Sequence, residues 1–279
     1  MEKNKIQKYI YPKLPSFCDL YVIRFGGSGL ANCLFVAARA YILAKKNNAK
    51  YIEPTWLNFT PGPYIRKDKD KRHYCRLFNK IGVRGVKKIA VLCFKNNQIT
   101  KIMGLSSYFA DLLDNHTLVK ELIDCSVRSS VKDKLSGLNF NNIIGIHVRL
   151  GDYVSSRRIS IDWYKAIIEQ INKHTNYKFK FWLFSDGTQQ ELSDLISMNC
   201  VERKFFGNAL ADILALSKTR LIIGSNSTFS GWAAFLGQVP VIFPKKHFGQ
   251  VLIDENFELV LNNFQEKQKI TDFLDSIKL

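Results

Sequence analysis

The chain has 279 residues, 46% of them hydrophobic and 13% aromatic, which excludes a disordered protein and suits one large domain or two ordinary ones. Lys and Arg outnumber Asp and Glu by 41 to 24, and the net charge of +17 favours an anionic partner: nucleic acid, an acidic membrane surface or a phosphorylated substrate. The scattered cysteines and histidines argue against a zinc ribbon or disulfide scaffold, and no apolar run suggests a signal peptide or membrane span.

The first half carries the pattern of a β-loop-α-β unit. "LYVIRF" at 20–25 is typical of a short buried strand, the glycine-rich turn and alanine-rich stretch at 26–48 predict a loop and a helix, and "KYIEP" at 50–54 predicts a second strand. Beyond it we predict, in chain order, a polar loop or small insertion at 54–85, a strand at 87–94, a helix at 106–125 and a hinge at 136–142.

In the second half, predicted strands and helices alternate regularly. The strands are at 143–149, 177–186, 201–207, 220–225 and 239–244, and the helices at 161–174, 188–199, 209–219, 227–237 and 262–277. Such alternation predicts a parallel, doubly wound sheet with helices on both faces. We therefore expect an α/β protein of two Rossmann-like lobes, residues 1–138 and 139–279.

Three polar clusters directly follow predicted strands of the second half. Ligands of open α/β sheets bind at the carboxyl ends of the strands, an arginine offers two parallel donors to a phosphate, and a helix N-terminus attracts anions. Alone, each cluster has an ordinary explanation as a structural donor, a turn or a helix cap, but three at one edge favour a binding site. They are His147-x-Arg149-x-Gly151-Asp152-Tyr153, Ser185-Asp186-Gly187, and the helix start Gly224–Trp232.

These stretches resemble motifs of one enzyme family. "IGIHVRLGDY" at 144–153 is similar to the HxRxGDY motif of the α-1,2-fucosyltransferases, glycosyltransferase family eleven. "SNSTFSGWAAFL" at 225–236 and "PKKHFG" at 244–249 resemble segments near the C-terminus of that family, and "GLANCLFVAARAYILA" at 29–44 resembles its N-terminal motif. The matches follow the family's order and span roughly residues 25 to 250.

The resemblance implies a GT-B-like fold, a GDP-fucose donor, and metal-independent, inverting transfer of fucose to a glycan hydroxyl such as galactose O2. Arg149 would grip the donor pyrophosphate, with His147 and Asp152 beside it in the catalytic group; Asp152 is a candidate general base or an orienting partner of Arg149. No cofactor or metal ligand is expected. The implied donor-binding residues are Gly29, Asn32, His147, Arg149, Asp186, Ser225, Asn226, Ser227 and Thr228.

The sequence also departs from the family pattern at five positions. Ala31 stands at the second glycine of the N-terminal motif, which excludes a positive φ there and suggests a shifted loop. The other departures are Cys33 for a glutamine, Leu150 for a frequent second arginine, Gly187 for a second acidic residue and Gly231 for a tryptophan. They leave open an altered donor or lost activity.

The net positive charge is consistent with two further hypotheses about the partner of this protein. A nucleic-acid-binding protein is disfavoured because the basic residues do not cluster and no RNA- or DNA-binding motif is present. The expected protein is cytoplasmic, and its positive charge suggests peripheral contact with an anionic inner membrane face, where a lipid-linked oligosaccharide of a surface polysaccharide would be the acceptor. A basic surface that serves solubility alone is the alternative. Asp68-Lys69-Asp70 lacks a preceding strand, so we interpret it as a solvated turn rather than a metal-binding Asp-x-Asp.

Overall fold

A computed structural model describes residues 7–65, 70–151, 158–263 and 265–279. The chain divides into two compact units, Met1–Lys134 and Leu135–Leu279, while the sequence-based boundary lies between 138 and 139. Within the described ranges, no helix combines the length and the apolar composition that crossing a bilayer requires.

Unit 1 is built around a short, completely buried strand. Its strands are β1 (Tyr9–Pro12), β2 (Cys18–Asp19), β3 (Arg24–Phe25), β4 (Lys50–Tyr51), β5 (Asn58–Phe59) and β6 (Ile99–Ile102). Its helices are α1 (Leu30–Lys46), α2 (Gly62–Ile65), α3 (Gly85–Phe94), α4 (His116–Ser126) and α5 (Ser129–Lys132).

The main sheet of unit 1 is parallel, in the order β4-β1-β6, and β2, β3 and β5 form a second small sheet. Helix α1 packs against the main sheet and α4 packs on α1. Helix α3 contributes Val91 and Leu92 to a core that includes Tyr9 and Tyr11. Because side chains alternate along a strand, Tyr9 and Tyr11 share one face of β1. This unit is therefore a small Rossmann-like βαβ arrangement.

Of the predicted strands of this unit, the one at 87–94 is wrong and the one at 20–25 is confirmed only at its end, as β3, while the central strand β1 was missed. Residues 20–23 form a tight turn between β2 and β3, with Tyr21 at φ 68° and Leu20 and Val22 more than half exposed. The segment 87–94 belongs to helix α3, and its many apolar residues had suggested a strand. Strand β1 has only four residues inside a basic segment, which is too short to show a period.

Unit 2 follows the predicted alternation closely. Its strands are β7 (Ile143–Val148), β8 (Lys180–Ser185), β9 (Val201–Arg203), β10 (Leu221–Ile223), β11 (Val241–Pro244) and β12 (Glu258–Leu261). Its helices are α6 (Ile161–His174), α7 (Ser193–Ile196), α8 (Ala209–Leu216), α9 (Thr228–Gly237) and α10 (Lys267–Ser276). All five predicted strands and all five predicted helices are present, although α7 is a single turn, and β12 was missed.

The six strands are parallel in the order β12-β11-β10-β7-β8-β9. Numbered by their appearance within the unit, this is the Rossmann order 3-2-1-4-5-6. Helices α6, α7 and α10 pack on one face, and α8 and α9 on the other. Strand β7 is buried along its whole length, because it lies between β10 and β8 and is covered on both faces.

The pleat of β7 decides which of its residues face which helices. Ile144, Ile146 and Val148 belong to the core beneath α6 and α10. On the opposite face, a Cβ at Gly145 would lie 2.4 Å from Leu216 Cδ2 of α8, so glycine lets that helix approach closely. His147 is the next residue on this face, and it therefore points toward α9.

Candidate functional site

The strand order of unit 2 reverses between β7 and β10. From β7 the chain proceeds through β8 to β9 on one side, and then crosses to β10, β11 and β12 on the other. In sheets of this order the connections on either side of the reversal go to opposite faces, and the topology predicts a crevice between them at the carboxyl edge. This switch point is where open α/β sheets bind their ligands. Two of the predicted clusters, after β7 and after β10, border it.

His147 links these two loops from beneath. Its Nδ1 lies 2.9 Å from the Ser225 hydroxyl and 3.2 Å from the Ser230 hydroxyl, and its ring stacks on Phe229 with the centroids 4.5 Å apart. Only 5% of the residue is exposed. The end of β7 is thereby fixed to the first turn of α9.

The His147 imidazole is neutral. Burial, reinforced by the neighbouring Arg149 cation, lowers the pKa of His147 from 6.5 to about 3. A neutral, buried ring supplies no positive charge to a bound anion. This geometry gives His147 the character of a positioning residue.

Arg149 is the first residue after β7, and Asp186, the first after β8, holds it in place. Arg149 Nη1 lies 2.6 Å from Asp186 Oδ2, and the side chains are 28% and 31% exposed. The other carboxylate oxygen of Asp186 accepts a hydrogen bond from the Leu150 amide at 2.8 Å. A Cβ at Gly151 would lie 2.3 Å from Asp186 Oδ2, so glycine is required for this close approach. Arg149 is therefore a half-buried, oriented cation at the mouth of the crevice.

Two of the departures from the family pattern pack against each other. Leu150 is buried in the core, and its Cδ1 would lie 2.6 Å from a Cβ at Gly187. A residue larger than glycine at 187 would displace this leucine. The leucine at 150 and the glycine at 187 therefore fit together, because the absence of a side chain at 187 leaves room for the leucine.

Helix α9 begins at the other border of the crevice. The Ser227 hydroxyl caps it by accepting a hydrogen bond from the Phe229 amide at 3.3 Å. Asn226 Oδ1 accepts a hydrogen bond from the His247 amide at 3.2 Å and lies 2.7 Å from His247 Nδ1. The backbone N–H of His247 can only donate, so the Asn226 atom that it contacts is the side-chain oxygen. Because this oxygen can only accept, His247 Nδ1 carries the proton of the second contact. The loop after β11 is thus tied to this helix start, where the positive end of the helix dipole lies.

The predicted residues of unit 2 separate into buried and accessible groups. Ser225 and Ser227 are 2% and 6% exposed, and their hydroxyls bond to His147 and the α9 backbone, so they shape the turn. Arg149, Asp186, Asn226 and Thr228 are partly accessible. Asp152 lies outside the described residues, as do Asp68 and Lys69. Gly231 is buried within α9, and its amide bonds to the Ser227 carbonyl.

The structure places Gly29 and Asn32 in unit 1, at the start of α1. Gly29 is the N-cap residue of this 17-residue helix, and Asn32, in its first turn, is partly exposed. Ala31 lies inside the helix, so it needs no positive φ; the left-handed positions are the preceding Gly26 and Gly27.

A fully buried arginine supports that glycine-rich loop. Arg24 donates to the carbonyls of Thr55 at 3.0 Å and Pro15 at 2.9 Å, and its Nη2 lies 3.6 Å from Cys33 Sγ. Burial raises the pKa of the Cys33 thiol, so the thiol stays neutral beside the guanidinium. Arg24 lies in the part of the predicted strand 20–25 that the structure confirms as β3, but sequence reasoning gave its side chain no role.

Arg203 was also missed. It ends β9, and its Nη2 donates to the Gly187 carbonyl at 2.6 Å, which braces the loop that carries Asp186. Its position at a predicted strand end was the available signal. Among the described residues, no three His, Cys, Asp or Glu side chains are grouped so that they could hold a metal ion.

The comparisons with known proteins agree with this architecture. The model of glycosyl transferase family 11 matches residues 78–243, more than half of the chain. No curated protein sequence is significantly similar to this chain. The similar solved structures include the NodZ α-1,6-fucosyltransferase soaked with GDP-fucose, at 13% identity and a TM-score of 0.52, with 84% of this chain and 94% of that chain covered.

Two further structures are similar to the same extent. NodZ from Bradyrhizobium has 14% identity and a TM-score of 0.51, with 86% of this chain and 96% of that chain covered. FUT1 from Arabidopsis thaliana, a mutant form in complex with GDP, has 14% identity and a TM-score of 0.53, with 88% and 72% covered. At these identities the similarity concerns the fold. It confirms the predicted GT-B-like α/β class with parallel sheets.

Proposed function

Because this chain belongs to glycosyl transferase family 11, we propose that it transfers L-fucose from GDP-β-L-fucose to a glycan hydroxyl. We further propose galactose O2 as the acceptor group and an α-1,2 linkage as the product of an inverting reaction. The observation that carries the proposal is Arg149, oriented by Asp186 at the switch point of a Rossmann-ordered sheet. The similar structures that bind GDP or GDP-fucose support the donor.

The proposed mechanism places the donor pyrophosphate at the crevice. As the sugar departs with oxocarbenium character, negative charge accumulates on the leaving phosphate. Arg149 would stabilise this charge through charge-assisted hydrogen bonds, and the N-terminus of α9, with Asn226 and Thr228, would add the positive end of its dipole. These groups are fixed before the reaction, so we propose that no metal ion or other cofactor is required.

The remaining predicted residues take supporting roles in this proposal. His147 and Asp186 position the α9 turn and Arg149 rather than contacting the reacting atoms. Gly29 and Asn32, at the start of α1, are proposed as further donor contacts. Asp152 stays a candidate for the general base or for a second orienting partner of Arg149.

The proposal for where the acceptor is met depends on the net charge of the protein. The net charge of +17 is suited to an anionic surface, and we propose that the protein binds peripherally to the cytoplasmic membrane face, where it meets a glycan on a lipid carrier. Such binding would weaken steeply with salt, because screening shortens the reach of the charges.

Thermal unfolding with added ligands tests the donor assignment. GDP should raise the unfolding midpoint of the wild-type protein, because a ligand that binds only the folded state stabilises it. ATP and duplex DNA should leave the midpoint unchanged, and GDP should have little effect on Arg149→Ala. Stabilisation by DNA but not by GDP would instead support a nucleic-acid-binding protein.

A further inference from the structure

Helix α3 exposes large apolar side chains to solvent. Val86 is 84% exposed, Phe94 86% and Ile89 38%. Three residues of the same helix, Lys88, Val91 and Leu92, are buried. Many of the apolar residues that made this segment resemble a buried strand therefore face the solvent.

The exposed residues form one continuous face. At 100° per residue, five apolar residues occupy adjacent positions around the helix and span about 140°. In order around the helix they are Ile89, Cys93, Val86, Ala90 and Phe94. Lys87 borders this apolar face. The opposite side is anchored: Lys88 Nζ donates to Thr55 Oγ1 at 3.0 Å and lies 5.5 Å from the centre of the Tyr11 ring. That anchor fixes which side of α3 points outward.

The chain segment that carries this face is strongly basic, although the half-buried Glu53 lies close to Lys80 and Arg84. Residues 80–110 contain six lysines or arginines and no aspartate or glutamate. Three of these cations are exposed on or directly beside the helix, namely Lys80, Arg84 and Lys87. Lys95 is also exposed, but its Nζ lies 5.7 Å from the centre of the Tyr9 ring, on the anchored side. An apolar strip bordered by cations is the pattern of a helix that lies in the interface of an anionic membrane.

We propose that the outer face of α3, with Lys80, Arg84 and Lys87, is the surface by which this protein docks on an anionic lipid bilayer. The proposal rests on the peripheral membrane binding proposed above and assigns it to one helix. The charge argues against a second copy as the occupant, because two such faces would bring like charges together. An anionic bilayer complements both parts of the surface, with headgroups for the cations and acyl chains for the apolar strip.

Vesicle sedimentation with matched variants tests the assignment. Wild-type protein should bind vesicles of phosphatidylcholine with about 30% phosphatidylglycerol and not neutral phosphatidylcholine vesicles. V86S/I89S/F94S should lower binding at least ~10-fold, because it removes the inserting side chains. K80Q/K87Q should lower it about 5-fold per cation removed. The unfolding midpoints should stay near wild type, since all five side chains are exposed.

Two control variants carry the same kinds of change in unit 2. L138S/Y177S/I253S removes three exposed apolar side chains, and K173Q/K180Q removes two exposed lysines. Both should bind like the wild type. If the α3 variants also bind like the wild type, the surface is wrong although peripheral binding stands. If the wild type binds neither vesicle type, both proposals fail.

An environment-sensitive fluorophore on Cys93 supplies a direct readout. Cys93 lies on the apolar face of α3, and Cys125, also exposed, lies on α4. With the other accessible cysteines replaced by serine, a label at Cys93 should shift to the blue on anionic vesicles, and one at Cys125 should not. Equal shifts at both sites, or a concentration-dependent shift at Cys93 without vesicles, would contradict membrane docking. The latter would indicate self-association.

Discussion

Arg149 carries the proposed chemistry, and substitution separates its charge from its geometry. Arg149→Lys keeps a cation but cannot form two parallel hydrogen bonds to a phosphate. We expect both Arg149→Lys and Arg149→Ala to lower the rate of transfer by about 10²–10³, the usual cost of losing one preorganised donor to a developing anion. Steady-state kinetics with GDP-fucose measures the effect.

The matched control for Arg149 is Arg220. It is an exposed arginine that directly precedes β10, at the amino edge of the same sheet. Arg220→Ala should therefore retain wild-type activity. A rate for Arg149→Lys above about a third of wild type would show that Arg149 is not a phosphate clamp.

His147 predicts an acid dependence of stability. Its folded pKa of about 3 lies below the usual 6.5, so its neutral form is favoured in the folded protein. This contribution is fully present above about pH 6.5 and is lost as pH falls toward 3, because the unfolded chain binds a proton that the folded one does not. Denaturant unfolding of wild type and His147→Gln between pH 7 and 4 measures it.

The free energy of unfolding of the variant should depend less steeply on pH than that of the wild type. The difference in slope should correspond to about one proton fewer bound on unfolding over this range. This comparison stays valid if His147→Gln is less stable overall, because it concerns the slope. Parallel pH profiles of the two proteins would mean that the imidazole is not held neutral.

The contacts around His147 and Arg149 show where residue-level prediction from sequence stops. The motif predicted that these residues lie at a strand end, and they do. Their partners Ser225, Ser230 and Asp186 are tens of residues away, and only the strand order makes them neighbours. Sequence spacing alone therefore did not distinguish a binding serine from one that shapes a turn.

At the scale of elements, the loops after β7 and β8 are coupled by packing. Gly187→Ala would place a Cβ 2.6 Å from Leu150 Cδ1, and we expect it to cost about 1–3 kcal/mol of stability. In a Leu150→Ala background the same change should cost less, because the closest atom is gone and the next, Ser185 Oγ, lies at 3.2 Å. Denaturant unfolding of the two single variants and the double variant measures the coupling.

Gly29→Ala is the steric control for this cycle, because the nearest atom to its added Cβ is 4.0 Å away. It should cost no more than about 1 kcal/mol, which is the order expected for alanine in place of glycine at an N-cap. Equal costs of Gly187→Ala in both backgrounds would show that Leu150 and Gly187 do not pack as one unit.

The two units differed in how well their elements could be predicted, for physical reasons. The strands of unit 2 are mostly longer, buried and separated by amphipathic helices, so each periodicity is visible. In unit 1, β1 has four residues, and α3 has apolar residues on both its inner and outer faces. An exposed apolar face removes the polar half of the helical period, which is why 87–94 resembled a strand.

For the molecule as a whole, the proposed mechanism assigns charge stabilisation to Arg149 and a helix N-terminus. Fucosyl transfer should therefore survive EDTA with its rate essentially unchanged. The control is assay in buffer supplemented with Mg²⁺ or Mn²⁺, which should add nothing. Loss of activity in EDTA that either metal restores would contradict this mechanism and would reopen Asp68 and Asp70 as candidate metal ligands.

Turnover of GDP-fucose with a simple galactoside tests the central claim most directly. The measurement is GDP release, followed over time together with the mass and linkage of the sugar product, for GDP-fucose and GDP-mannose in parallel. We predict one GDP released per fucosylated galactoside, an α-1,2 linkage, and no turnover of GDP-mannose. Release of GDP from GDP-mannose instead, or no product from a protein that GDP stabilises, would contradict the assignment of this chain as an active fucosyltransferase.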